Sequence, residues 1–442
     1  MITRDEIVLV HQVLEYSMKA GATAARATLN KSSENLVSTL DGCIDKVTRC
    51  EDRSMSIALF SEGKYGSFST NKLDIDALHS FIDKAIGIVK MLSADHCRHL
   101  PSPVKYCMDA ITGKENGIYD DTVGQISSED RCRLALDAAV FGSDPAIISE
   151  EGEYSDSVYD IYLADTQGLE CRHTETSFDY GVEITVQDRN GDKYSGYWWH
   201  AAPFAKDLRA AGCGQEALRR ALGQIGSTAA AGGKYNMIVE SDVASKMVSP
   251  LLNALNAYSI QQNNSFLAGT LGRKVFPEGL TVIDMPRIKG ETGSKRFDSE
   301  GVNLEEAPII ENGVVKRYFI NTYMSEKLHM EPTAEEAARP KVSAWPTEGL
   351  SRDDIMRMCG DGILVTDFNG GNCNAATGNF SYGIEGYLIR DGKPACPVSG
   401  MLVTGNFIDL WSNLIAAGSD ARSCMSKLIP TLAFSNVDFS GE

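Results

Sequence analysis

The stretch GDGILVTDFNGGNCNAATGNFSYGIEGYLIRDGKPACPVSGMLVTGN, Gly360 to Asn406, decides how the second half of the chain is read. Ile363-Leu364-Val365 is a short apolar run, and residues 380–389 alternate at the period of a strand. Gly and Asn crowd the interval between them. A phosphate loop would need G-x-x-x-x-G-K-[ST], and a dinucleotide loop G-x-G-x-x-G, each opening a helix. This interval has no Lys and runs into a strand, so neither motif fits. Two readings remain. One is a wide loop between strands, whose Gly and Asn supply positive φ. The other is the same loop lining a groove, where free backbone N–H groups meet a peptide.

Working outward, the chain has 442 residues, which implies two or three domains. Lys+Arg is 42 against Asp+Glu 60, a net charge of -18. That argues against nucleic acid as a partner, because such binding rests on cations neutralising phosphates. Arg219-Arg220 is the best basic run and reads as a solvated helix face. No apolar stretch approaches the roughly 20 residues that span a bilayer. The N-terminus lacks a signal peptide's apolar segment, so the expectation is a soluble, cytoplasmic protein with no membrane partner. Eleven Cys, odd in number and without a CxxC pair, fit reduced thiols better than a disulfide framework.

Residues 5–20 read as an amphipathic helix with Ile7, Val10, Leu14 and Met18 on one face and Gly21 as the stop. Met55, Ile57 and Leu59 alternate in a strand that ends at a Glu62-Gly63 turn, and helical period returns from Asp74. Pro and Gly mark a linker over residues 100–121. A helix begins at Ser128, Asn190-Gly191 signals a hairpin, and a helix is expected over residues 207–227. Beyond Ala229–Gly233 come a strand, a helix and then Gly-punctuated strands, including "NGVVKRYFINTYM". The fold class is therefore α+β. Residues 1–100 form a small N-terminal α+β domain, 101–230 a strand-rich central domain, and 231–442 a large, mostly antiparallel β domain with flanking helices.

The chemical motifs are mostly negative. There is no His-Glu dipeptide for a zincin helix and no G-x-S-x-G nucleophile elbow. Asp95-His96-Cys97-Arg98-His99 clusters ligand types but reads as a surface turn. Glu150, Glu151 and Glu153 read as a solvated acidic run.

Several segments in order resemble the TldD/PmbA family: Asn264–Pro286, GSKRFDSEGV (Gly293–Val302), ENGVVKRYFINTYMSEKL (Glu311–Leu328), Gly360–Asn406 and AAGSD (Ala416–Asp420). The resemblance covers most of the chain from about residue 20 and is strongest after Tyr235. In that family, TldD-like chains carry an HExxxH motif and a later Cys and are zinc peptidases. PmbA-like chains, also called TldE, lack the motif and pair with them. Here Ile238–Leu252, where the motif would fall, holds no His, and Cys424 lies near the ligand Cys position. The resemblance therefore implies the PmbA/TldE branch, with no catalytic or metal residue on this chain. Zinc is expected on a TldD-like HExxxH partner. The substrates implied are unfolded peptides and peptide precursors in the cytoplasm. The family's old label, modulator of DNA gyrase, gains no support from the charge. The expected substrate-groove loop is Asn369, Gly370, Gly371, Asn372, Thr377 and Asn379. His329–Pro346 departs from the usual Gly/Asn-rich family stretch. The alternatives are a self-sufficient homodimeric hydrolase built around His96, Cys97 and His99, and a non-enzymatic peptide-binding regulator.

Overall fold

A computed structural model describes residues 1–441. The first helix, α1 (Arg4–Lys19), is opened by a capping box between Thr3 and Glu6. It leads into three strands, β1 (Ala24–Leu40), β2 (Cys43–Ser61) and β3 (Lys64–Thr70), and then α2 (Ile75–Met91). Glu62 and Gly63 both take positive φ, the conformation a two-residue hairpin of matching twist requires. The helix face differs slightly from expectation. Val10, Val13, Leu14 and Ser17 are buried, and Met18 turns outward.

After an irregular passage come α3 (Ser128–Asp137), β4 (Ile147–Asp165), β5 (Glu170–Gln187), β6 (Lys193–Ala202) and α4 (Cys213–Gly223). The last is shorter than expected, since Gly212 at φ 96° turns the chain into it. The six strands form one antiparallel sheet in the order β3-β2-β1-β4-β5-β6. That sheet runs straight across residue 100, so the N-terminal and central segments share a layer through the β1–β4 pairing. Helices α1 and α2 cover one half of it, over Met55, Ile57 and Leu59; α3 and α4 cover the other, over Tyr154, Tyr180 and Ile184. Gly196 allows this. A Cβ there would meet Ala217 O at 2.3 Å and Ala221 N at 2.4 Å, so only glycine lets α4 lie on β6.

The C-terminal body contains β7 (Gly233–Val239), α5 (Ser245–Ala254), α6 (Ala257–Gln261), β8 (Leu280–Asp284), β9 (Ala307–Glu311), β10 (Val314–Val315) and α7 (Thr322–Leu328). There follow β11 (Pro340–Ala344), α8 (Arg352–Cys359), β12 (Gly362–Cys373), β13 (Asn379–Arg390), β14 (Lys393–Asn406), α9 (Phe407–Ser412), β15 (Leu414–Ala417) and β16 (Leu432–Gly441). "NGVVKRYFINTYM" is thus a two-residue strand and a helix capped by the Asn321 side chain, not one long strand. The order β14-β13-β12-β7-β16-β15, with β14 also pairing β16, closes five strands into a barrel. A four-stranded sheet, β10-β9-β8-β11, packs beside it, and the shared core holds Trp411, Phe407 and Phe434. The fold class is α+β, with antiparallel pairing throughout apart from β7–β12, which is parallel.

The opening stretch is more regular than expected. β12 continues to Cys373 and β13 begins at Asn379, so the turn itself spans residues 374–378. Gly370 and Gly371 lie at φ 65° and 78° where the register slips, making a bulge inside the strand.

Candidate functional site

A cleft of about 290 Å³ opens where the edge of the first sheet meets the barrel. One wall is the consecutive run Ser195–Trp199 of β6 with Arg219 and Arg220 of α4 and Gln224 just after it. Consecutive residues of one strand point to both faces, so it is the strand's edge that borders the cleft. The other wall is Glu240, Asp242 and Val243 after β7, Arg352 of α8, and Asp367, Glu385 and Tyr387 of β12 and β13.

A charge network on Trp198 fixes the two walls. The guanidiniums of Arg220 and Arg422 each lie 4.3 Å from its ring, one from each body. Asp242 accepts from both, at 3.2 Å from Arg220 and 2.6 Å from Arg422. Arg422 also donates to Trp199 O. Glu240 accepts from Arg220 at 2.9 Å and from Arg352. Burial pushes Asp242 above the ordinary carboxylate range, and Arg422 and Arg220 oppose this against Glu240. Burial, then Arg422 and Arg209, hold His200 below the usual imidazole value. Lys427 Nζ, from the segment before β16, donates to Ser249 Oγ of α5 at 2.9 Å. Cys424 lines a smaller recess nearby with His200, Asp207 and Glu291.

The groove-loop residues do not act as one group. Asn369 donates from Nδ2 to Glu385 Oε1 at 2.7 Å and so reaches the cleft rim. Gly370, Gly371 and Asn372 lie on the exposed bulge. Thr377 and Asn379 are at the hairpin tip, where Asn406 Nδ2 donates to Thr377 O and Asn379 Oδ1, both at 2.8 Å. The His96–His99 turn is occupied in packing. Asp95 accepts from Tyr323 and Lys327 of α7, Arg98 stacks on Tyr323, and His99 lies 3.3 Å from Glu326.

Two sequence readings are corrected. Arg219 is a surface residue, but Arg220 is mostly buried and is the hub of the network. Glu150 is buried rather than solvated. Its Oε2 accepts from Val140 N at 2.7 Å, its Oε1 has no donor, and burial raises its pKa. Neither had a local signal, because Arg220 is buried by the β6 and barrel residues that α4 packs against, and Glu150 by the chain that follows α3.

Residues 121–225 match the PmbA/TldA metallopeptidase central domain and residues 232–441 the PmbA/TldA metallopeptidase C-terminal domain. A crystal structure from Bacteroides thetaiotaomicron VPI-5482, of a protein named for modulation of DNA gyrase, is 35% identical with a TM-score of 0.95, covering 100% of both chains. The chain belongs to the PmbA/TldD family. It is similar to metalloprotease PmbA of Escherichia coli O157:H7, 25% identical over 92% of this chain and 91% of that one. TldE from Thermococcus kodakarensis has the same fold, with a TM-score of 0.83 at 18% identity, covering 98% of this chain and 100% of that one.

A metallopeptidase family raises the question of a zinc ion. Zinc takes imidazole, thiolate or carboxylate ligands. Ile238–Leu252 offers no imidazole, Glu240 and Asp242 are each committed to two guanidiniums, and an ammonium sits on α5. This donor set does not fit zinc. Among the described residues, no group of three or more His, Cys, Asp or Glu is arranged to hold a metal. No described helix is long and apolar enough to cross a membrane.

Proposed function

We propose that this chain is a PmbA/TldE-like subunit of a cytoplasmic peptidase assembly. It walls the peptide-binding chamber, while a TldD-like HExxxH partner carries the zinc and the hydrolytic chemistry. The observation that carries this reading is the commitment of Glu240 and Asp242 to arginines, with the Lys427 ammonium bonded to Ser249 of α5. Arginine does not release its proton near neutral pH, so these carboxylates stay paired. The β6 edge supports peptide as the ligand, because an extended chain adds to a strand edge through main-chain hydrogen bonds.

The test is cleavage of an unstructured peptide by this chain alone, by an HExxxH-bearing family member alone, and by the two mixed, with zinc counted in each. Cleavage and stoichiometric zinc that require the second chain are expected. Cleavage by this chain alone with one bound metal would overturn the proposal. In the mixture, alanine at Asn369, Asn372 and Thr377 is expected to lower turnover about tenfold while the melting temperature holds.

A further inference from the structure

The loop 297–303 ties the sheet to the C-terminal body. Gly301, at φ 79°, seats against Leu163 and Leu169 beneath the sheet, where a Cβ would lie 2.3 Å from Leu169. Cys107 N donates to Gly301 O at 3.0 Å, and Arg26 of β1 donates to Glu300 O at 3.0 Å. On the other side, Thr322 at the start of α7 donates from N and Oγ1 to Glu300 Oε2, at 2.8 and 2.7 Å. Ser299 Oγ donates to Glu335, inside the divergent segment 329–346.

Asp298 shapes this loop. Its Oδ1 accepts from Glu300 N and Val302 N, both at 3.0 Å, while its Oδ2 is sealed from solvent with no donor. The charges around it are unbalanced. Glu300 and Glu335 both act on it, and Glu336 adds to Glu335. Arg26 is the cation facing this group from β1. Arg296, two residues away, is turned to Asp109, and Tyr106, paired with Val302, is bonded to Asp165. Carboxylates gathered in a buried place do not all ionise together. Burial first, then Glu335 and Glu300, push Asp298 up to about 7, and Glu335 is raised by burial, Glu300 and Glu336 against Arg26.

We infer that Asp298 is a pH-sensitive latch on the seam between the sheet and the C-terminal body. Neutral, it holds loop 297–303 seated; ionised, with its proton lost to solvent, it repels Glu300 and Glu335 and loosens the seating of the two cleft walls. The sign follows from a raised carboxyl. The stabilisation is complete below the ordinary carboxylate range and is lost as pH rises through about 7. That the latch regulates peptide access rests on the reading of the cleft as a peptide chamber.

The experiment is hydrogen exchange of residues 297–303 and 331–339 in the whole chain at about pH 6 and about pH 8, corrected for intrinsic rates. Protection in the native chain is expected to fall at least about threefold between them, and D298N is expected to stay protected at both. E335Q, which removes one of the two carboxylates acting on Asp298 and leaves Asp298 in place, is expected to move the midpoint of the transition to lower pH. Protection that ignores pH in the native chain, or a transition that survives in D298N, overturns the latch. If D298N does not fold, the E335Q midpoint decides, and an unmoved midpoint refutes it. A latch seen by exchange while turnover in the mixed assembly ignores it would count against the chamber and leave the latch standing.

Discussion

Arg422→Ala removes one of two cations on a buried carboxylate. Arg422 and Asp242 side chains are 14% and 11% exposed, so solvent does little to compensate. Breaking a buried pair by deleting one partner costs about 3–5 kcal/mol. Asp242 keeps Arg220 at 3.2 Å, which places the cost near the lower end, about 3 kcal/mol. At about 2.1 cal/mol/K per residue, unfolding all 442 residues carries about 0.9 kcal/mol/K, so the melting temperature should fall by about 3 °C. Asp242→Asn in the same background removes the under-compensated charge and should recover about half of that. Calorimetry on the four members of this cycle gives the coupling, expected to exceed about 1 kcal/mol. If Arg422→Ala melts within about 0.5 °C of the native chain, or the two losses simply add, the network is decoration and the walls are held by something else.

Gly196→Val should abolish soluble expression, because the new side chain collides with the α4 backbone rather than with a movable side chain; a folded, soluble variant would disprove the packing argument. Glu150→Gln keeps an acceptor for Val140 N and removes a carboxylate whose raised pKa costs stability as pH climbs. The variant should match the native chain in acid and melt higher above the ordinary carboxylate range, by about 1–3 °C. Equal melting at every pH would contradict it.

Much of the fold could be read locally. The period-two run through Met55, Ile57 and Leu59 is a strand with those three side chains buried, and Asn190-Gly191 does sit in the β5–β6 hairpin. Local signals failed where a distant element supplied the environment. Arg220 looked solvated because nothing in α4 announces Trp198 beneath it and Glu240 beyond it. The Gly- and Asn-rich interval before residue 380 looked like a loop because Gly and Asn satisfy a bulged strand as well as a turn. The family resemblance directs attention to Ile238–Leu252, but only the assembled cleft reveals the arginines paired with Glu240 and Asp242 there.

The barrel closure also sets a timetable. β7 pairs with β16, which follows it by about 200 residues, and β1 waits more than 100 residues for β4. A chain emerging from the ribosome at about 5–20 residues per second therefore carries an unpaired β1 edge for about five seconds or more and an unpaired β7 edge for about ten seconds or more. β7, with Met237, Ile238 and Val239 fully buried in the finished barrel, is the most adhesive of these edges. Biosynthesis should thus be the stage at which this protein most depends on chaperones, and slowing translation between β7 and β16 should lower its yield without altering a single contact of the folded state.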